Sequence, residues 1–332
     1  MMHTETFRTV FPVSRKPWDI SHKHRILCIG SCFAEHIGEG FVSHKIPTLL
    51  NPFGVLFNPL SVAGSLQRMV TAEPVGEGEL FRNGGCWHSY RFHSRFSHPE
   101  KEVCRQRMDA AVQEAAVFLR HTDYLILTLG SAMVYRLKSD GVPVANCHKM
   151  PSTLFERRML EPDEAFEAIE SALLQVRALC PDLRCILTVS PVRYIKNDFV
   201  ENSLSKAVLR LLCHRMAVSH DWADYFPAFE IMTDDLRDYR FYASDRIHPS
   251  EEAVHYIWDV FSETYFSEGT RMLNRSVEEI TAAFRHRTAF PELGAYRSFC
   301  RRSLDQIHAL QREHPDLDFS QEERYFSAHA DS

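Results

Sequence analysis

The chain has 332 residues, 45% hydrophobic and 25% charged, enough for one large buried core or two smaller ones. Its 38 Lys+Arg against 44 Asp+Glu leave a formal charge of −6, which speaks against a generic nucleic-acid binder or a polybasic membrane-surface protein. No apolar run reaches the roughly 18 residues of a membrane span, and Met1–Arg8 lacks the cationic start and apolar stretch of a secretory signal.

Taken in chain order, the first element is Arg25–Ile29, a short apolar strand without alternation, as expected for a strand covered on both faces. An amphipathic helix over Ala34–His44 follows, then a shorter strand near Ile46–Leu50 and a helix over Pro59–Thr71. The segment Phe81–His98 is rich in Trp, Tyr, Phe, His and Arg around the hairpin-type turn Asn83-Gly84-Gly85. Next come a helix over Lys101–His121, a strand over Tyr124–Leu129, a helix over Pro162–Leu179 and a strand over Arg184–Val189. The pattern continues with a helix over Asn202–His220 and a strand over Tyr225–Met232, placed at a sheet edge because it carries Pro227. Pro249, Glu251 and Glu252 signal the start of a helix over Ser250–Phe266. Helices over Ser276–Arg287 and Tyr296–Glu313 close the chain, with a loose polar tail expected after Pro315.

Strands alternating with helices imply βαβ units and a mainly parallel sheet, hence a three-layer α/β domain over residues 1–268 and a C-terminal helical extension over 269–332. Nine cysteines, odd in number and without a CxxC pair, read as mostly buried reduced thiols, and a cytoplasmic protein is expected. His22-Lys23-His24 reads as a solvated loop, and Arg157-Arg158 and Arg301-Arg302 as solvated helix faces. No metal site is expected. Cys86-Trp87-His88 and Cys147-His148 set ligands too close together for one tetrahedral centre, and no HExxH occurs.

Ligands of open parallel sheets sit beyond the carboxyl ends of the strands, so the residues that follow each strand are the candidates. They are Gly30-Ser31-Cys32-Phe33-Ala34, Gly130-Ser131-Ala132, Ser190-Pro191-Val192-Arg193 and Asp245-Arg246-Ile247-His248-Pro249. A nucleophile on a tight strand-to-helix turn is exposed, and the helix N–H groups beside it can hold an oxyanion. The helix dipole favours a thiolate there, so a lowered thiol pKa is expected at Cys32. His248 can serve as base with Asp245 orienting its ring. Each piece also has a plain reading: Cys32 as an inert thiol, Gly30 as a packing glycine, Asp245 as a solvated carboxylate before a helix, and Asn146-Cys147-His148-Lys149 as a hydrogen-bonded loop hub.

These blocks resemble a known family. Gly30-Ser31-Cys32-Phe33-Ala34 is the signature of the GSCFA domain family, grouped with the SGNH (GDSL-like) hydrolases. Asn51-Pro52-Phe53-Gly54, Asn146-Cys147-His148-Lys149, Leu236–Tyr242 and Asp245–Pro249 match further family blocks in the same order, from about Phe11 to Phe266. The resemblance implies a flavodoxin-like fold and acyl-ester chemistry by esterase or acyltransferase action. Cys32 stands where the superfamily has its nucleophilic serine, with Ser31 as the alternative if the turn is shifted by one residue. Gly54 matches the second-block oxyanion donor and Gly130 the third-block glycine. Ala132 occupies that block's asparagine position, which leaves Asn146 of the following loop, next to His148, as a substitute amide.

A cysteine nucleophile makes acyl transfer as natural as hydrolysis, with an acylated carbohydrate or small metabolite as substrate, acyl-CoA as a candidate donor and no required cofactor. The aromatic segment, with Trp87, His88, Tyr90 and His93, is the candidate cap of the pocket. The competing reading is a binding module that kept the pocket and lost turnover, which Ala132 favours. Homo-oligomer formation is left open.

Overall fold

The computed structural model describes residues 9–10, 12–195, 198–286 and 294–330. Two compact units emerge, one holding Arg25–Gly38 and Thr48–Phe261, the other Arg15–His24, Glu39–Pro47 and the chain from Ser262 onward.

The first unit is built on β1 (Ile26–Gly30), β2 (Thr48–Leu50), β5 (Tyr124–Leu129), β9 (Arg184–Val189) and β10 (Ala223–Phe226). They form one parallel sheet in the order β10-β9-β5-β1-β2. Because the pleat alternates faces, Leu27, Ile29, Leu125, Leu127, Leu129, Cys185, Leu187 and Val189 point to one side. There they join a core with α2 (Pro59–Thr71), α3 (Lys101–Leu119), α4 (Pro162–Leu179) and α5 (Phe199–Ser219). The intervening Ile26, Cys28, Ile126 and Ile186 are also buried, and Phe226 of β10 meets Phe261 of α7 (Glu251–Tyr265) with ring centroids 5.1 Å apart. Burial on both faces explains the unbroken apolar strands, each large side chain contributing roughly 1.5–3 kcal/mol.

Short elements complete the unit. β3 (Leu80–Asn83) and β4 (Cys86–Ser89) make the expected hairpin, with Gly84 at φ 55° and Gly85 at φ 84°. Two successive positive φ angles are what a two-residue type I′ loop requires. β6 (Met133–Leu137), β7 (Pro143–Val144) and β8 (Phe155–Met159) form an antiparallel sheet in the order β7-β6-β8, which the sequence reading did not anticipate. Arg157 and Arg158 lie on β8 instead of a helix, and both are paired, with Glu201 at 2.6 Å and with Glu164 respectively.

The strand read as Tyr225–Met232 stops at Phe226. Pro227 offers no N–H to the ladder, and the chain turns into the short helix α6 (Ala228–Glu230) and a π-helical turn over Ile231–Leu236. Ala228, Ile231, Met232, Asp235 and Leu236 are buried, a helical spacing that the apolar run concealed.

The second unit is mainly helical. α8 (Glu268–Arg285) starts earlier than expected because the Ser267 hydroxyl accepts the Thr270 N–H at 3.1 Å. It is followed by α9 (Gly294–Glu313) and α10 (Ser320–Ala330); Arg287, the expected end of the first of these helices, lies outside the described residues. The tail expected to be loose instead forms α10, because Leu317, Phe319, Phe326 and Ala330 bury against Val277, Ile280, Tyr296 and Cys300. His22 also departs from the solvated reading. It is half-buried, and burial pushes its pKa down to about 4, with His44 and His314 nearby.

Candidate active site

The residues following β1, β5 and β9 and those preceding α7 converge at the carboxyl edge of the parallel sheet, around a cavity of about 490 Å³. Its apolar wall comprises Val55, Phe57, Val192, Ile195 and Ile247, and its polar members include Ser31, Cys32, Ser190, Arg193, Tyr194 and His248. The sheet order reverses beside β1, so this is the crevice where ligands of open α/β sheets bind.

The turn after β1 is fixed by backbone contacts. Gly30 has φ +147°, and a Cβ there would lie 2.1 Å from the Thr128 carbonyl oxygen. No other residue allows β5 so close. The Ser31 N–H donates to that carbonyl at 3.0 Å, and the Gly30 N–H donates to Oδ1 of the buried Asn51 at 2.9 Å. Ser31 is 4% exposed and its hydroxyl accepts the Phe33 N–H at 3.2 Å, so it caps α1 (Cys32–Ser43). Cys32, first in the helix, is only half-buried.

The Cys32 thiol does not have the lowered pKa expected of a helix start. Burial pushes it up, and the Glu35 carboxylate three residues on adds to that; the Cys32 and Phe33 N–H groups and Lys206 oppose the rise without overcoming it. Desolvation and a like charge outweigh two N–H groups and a nearby ammonium here.

The second element is better poised. His248 Nδ1–H donates to Asp245 Oδ2 at 2.7 Å, while Asp245 Oδ1 accepts the Ile247 and His248 N–H groups at 2.8 and 3.0 Å. Those bonds, led by that to His248, hold the Asp245 carboxyl down at about 2. The carboxylate fixes the tautomer, leaving the lone pair on Nε2. Arg246 takes a left-handed φ of 61°, and the Ala243 N–H donates to the His248 carbonyl at 2.8 Å, closing the loop that presents the ring. Helix α7 is capped by Ser250, whose hydroxyl accepts the Ala253 N–H at 3.2 Å, so Pro249 precedes the cap instead of lying just inside the helix.

Lys206, unnoticed in the sequence, is the third element. It is 2% exposed, and its Nζ donates to the carbonyls of Gly130 and Ser190, both at 2.7 Å, tying together the ends of β5 and β9. Burial pushes its pKa down to about 7, while Cys32 pulls the other way. Its neighbour Ser205 accepts the Ala132 N–H at 2.7 Å. A signal did exist, because Ser205 and Lys206 sit on the buried stripe of α5 with Leu209, Leu212, Cys213 and Met216, where apolar residues are the rule.

Cys32, Ser31, Gly130 and His248 thus border one cavity, with Asp245 behind His248. Gly54, Asn146 and His148 are not part of its lining. The Gly54 N–H donates to the Asn51 carbonyl at 2.7 Å, and the Gly130 N–H to the Phe57 carbonyl at 2.8 Å. The Asn146 Oδ1 accepts the His148 N–H at 2.8 Å, and His148 Nε2 meets the Ser89 carbonyl at 2.8 Å. His148 lies against Phe81 and His88, and burial lowers its pKa. This block matches the plain reading of a loop hub. Trp87, His88, Tyr90 and His93 do not line the cavity either, against the expected cap: Tyr90 stacks on Phe81 at 3.9 Å, and Trp87 carries the Lys101 ammonium 5.2 Å from its ring centroid. Ala132 is buried in the core.

Among the described residues no group of three or more His, Cys, Asp or Glu gathers as for a metal, and no helix is long and apolar enough to cross a membrane. The model described as "GSCFA family" matches residues 25–261, and that described as "GSCFA domain protein, C-terminal domain" matches residues 277–330. No curated protein and no solved structure matches the chain.

Proposed function

Since the chain belongs to the GSCFA family, we propose that its cavity carries out acyl-ester chemistry of the SGNH type, with Cys32 as nucleophile, His248 as base and Asp245 as the group that orients His248. The observation that carries this reading is the presence of Cys32 and a carboxylate-held His248 on the wall of one cavity. The five-strand order, with β1 between β2 and β5, supports the flavodoxin-like class.

His248 Nε2 takes the proton of the Cys32 thiol as the sulfur attacks the acyl carbonyl. A thiol whose resting pKa is raised needs that base to generate the nucleophile. The oxyanion lies at the start of α1 within reach of the Cys32 N–H. Collapse breaks the bond to the leaving alcohol or thiol, which takes its proton from the imidazolium. In the second half His248 deprotonates water or an acceptor hydroxyl, which attacks the thioester and returns the thiol. Hydrolysis and transfer to a carbohydrate or small metabolite share this path, with acyl-CoA a suitable donor. Ser31 is the weaker nucleophile of the two, because its hydroxyl caps the helix and is almost fully buried.

The second reading, a binding module without turnover, draws support from the raised thiol pKa and from the amides of Gly54 and Gly130 being engaged elsewhere. Intact mass after incubation with acetyl-CoA or an activated acetyl ester separates the two. An acetyl adduct lost in Cys32→Ala and reduced in His248→Ala is the expected result. An adduct lost only in Ser31→Ala moves the nucleophile by one residue, and no adduct with any acyl donor leaves the binding module.

A further inference from the structure

Among the described residues that border the cavity, Arg193 is the one arginine or lysine. Its guanidinium carbon lies 3.9 Å from the ring centroid of Tyr242 and 5.0 Å from that of Tyr239. Tyr239 and Tyr242 belong to the segment that leads into Asp245 and His248, and Tyr242 forms a bridge with Pro249. The Arg193 N–H donates to the Ile247 carbonyl at 3.2 Å, one residue before His248. The cation is therefore held by the same loop that presents the base, through both its backbone and its side chain.

Two facts separate this arginine from a structural strut. The other arginines stacked on tyrosine or phenylalanine around α5, Arg210 and Arg215, each pair with a carboxylate, Glu230 and Asp163 respectively. No carboxylate of the described residues pairs with Arg193. Asp245, the nearest acid in the sequence of that loop, already gives one oxygen to His248 Nδ1 and the other to two backbone N–H groups. Val55, Phe57, Val192, Ile195 and Ile247 make up the apolar part of the wall, and beside it a guanidinium that hydrogen-bonds Tyr242 but has no carboxylate partner attracts an anion.

We propose that Arg193 is a substrate-binding residue that selects acyl compounds bearing an anionic oxyacid group, a carboxylate or a phosphate, with the apolar part of the compound against the aliphatic wall. The proposal rests on the acyl-chemistry reading of the cavity and adds the class of substrate. A planar guanidinium stacked on two rings loses little rotamer freedom on binding and presents paired donors to such a group. A carboxylate on the acyl side and a phosphate on the leaving-group side offer it the same chemistry.

The test is a binding experiment on the Cys32→Ala protein, which keeps the cavity and forms no acyl adduct on that residue. Two matched pairs are titrated by calorimetry: monomethyl glutarate against methyl valerate, and S-acetyl phosphopantetheine against S-acetyl pantetheine. At least one anionic member should bind about tenfold or more tightly than its neutral partner, and the pair that shows it identifies the side carrying the charge. Adding Arg193→Gln should reduce that preference below about threefold, and Arg193→Lys, which keeps the charge, should retain part of it. Equal binding within both pairs by the protein with Arg193, a result that does not depend on how the variants fold, overturns the proposal. So does a preference that survives Arg193→Gln. An acetyl adduct on Cys32 of the unmutated protein without any anion preference refutes the assignment of Arg193 alone; a preference without any adduct refutes the acyl chemistry alone.

Discussion

Replacing Lys206 with methionine should remove a defined pH dependence of stability. Burial lowers the pKa of Lys206 to about 7, whereas a lysine in an unfolded chain holds its proton up to about 10.4. Between these values the unfolded state binds one more proton than the folded state, so raising the pH favours folding. From about pH 7 to about pH 8.5 the gain integrates to on the order of 2 kcal/mol. Buried thiols act in the opposite direction, because Cys28, Cys185 and Cys213 have raised pKa values when folded and release protons more readily when unfolded. That background is common to both proteins and cancels in the comparison. Methionine also deprives the Gly130 and Ser190 carbonyls of a donor, a cost of about 1–3 kcal/mol each that is partly offset because no amine is desolvated. That change is nearly independent of pH. Urea unfolding of both proteins at both pH values, followed by tryptophan fluorescence, gives the double difference. An identical pH response in the two proteins would refute the reasoning, since Lys206 would then titrate outside this window.

Four further expectations follow from the same geometry. Gly30→Ala must place a methyl 2.1 Å from the Thr128 carbonyl oxygen at a φ of +147°; it should cost about 2–6 kcal/mol in thermal or urea unfolding, and an unchanged midpoint would contradict the close strand approach. Asp245→Asn keeps an oxygen for the Ile247 and His248 N–H groups but not the charge on His248, so stability should hold while acylation of Cys32 slows by about 100-fold, read as adduct mass against time. Phe326→Ala removes a fully buried ring that meets Phe284 and Phe299; a loss of about 3–5 kcal/mol and early proteolysis after α9 are expected, and a loose tail would show neither. His22 has its pKa lowered to about 4 from 6.5, so the unfolded state gains the extra proton between those values and stability falls as the pH drops through them; His22→Gln should flatten that decline in acid titrations followed by circular dichroism.

Most of the sheet was legible because strands covered on both faces have to be apolar throughout, as β1, β5 and β9 are. The antiparallel sheet was not, since β8 is half polar and β7 has only two residues, so no period of two could emerge. The run after Pro227 was read by its apolar content when its spacing was helical. At the site, the Gly30–Ala34 turn and the Asp245–His248 pair stood out as local motifs. The sign of the Cys32 shift did not, because it depends on how deeply the thiol is buried and on Glu35 one helical turn away. Lys206 required knowing which face of α5 meets the ends of β5 and β9, a tertiary fact that its position on the buried stripe only hinted at.

The three-part make-up of the second unit governs the order in which the molecule can form during synthesis. Arg15–His24 and Glu39–Pro47 are made early, yet the rest of their unit begins only at Ser262. Ile20 pairs with Phe266, Phe41 packs 6.0 Å from the same ring, and Lys45 reaches Glu322 at 2.6 Å. At roughly 5–20 residues per second, these early segments wait on the order of 10–55 s on the ribosome before their counterparts exist. Apolar side chains such as Ile20 and Phe41 stay unsheltered for that interval, and ending translation at the last helix of the sheet-bearing unit would leave them so permanently. The early segments of this unit therefore give a nascent-chain chaperone a reason to bind.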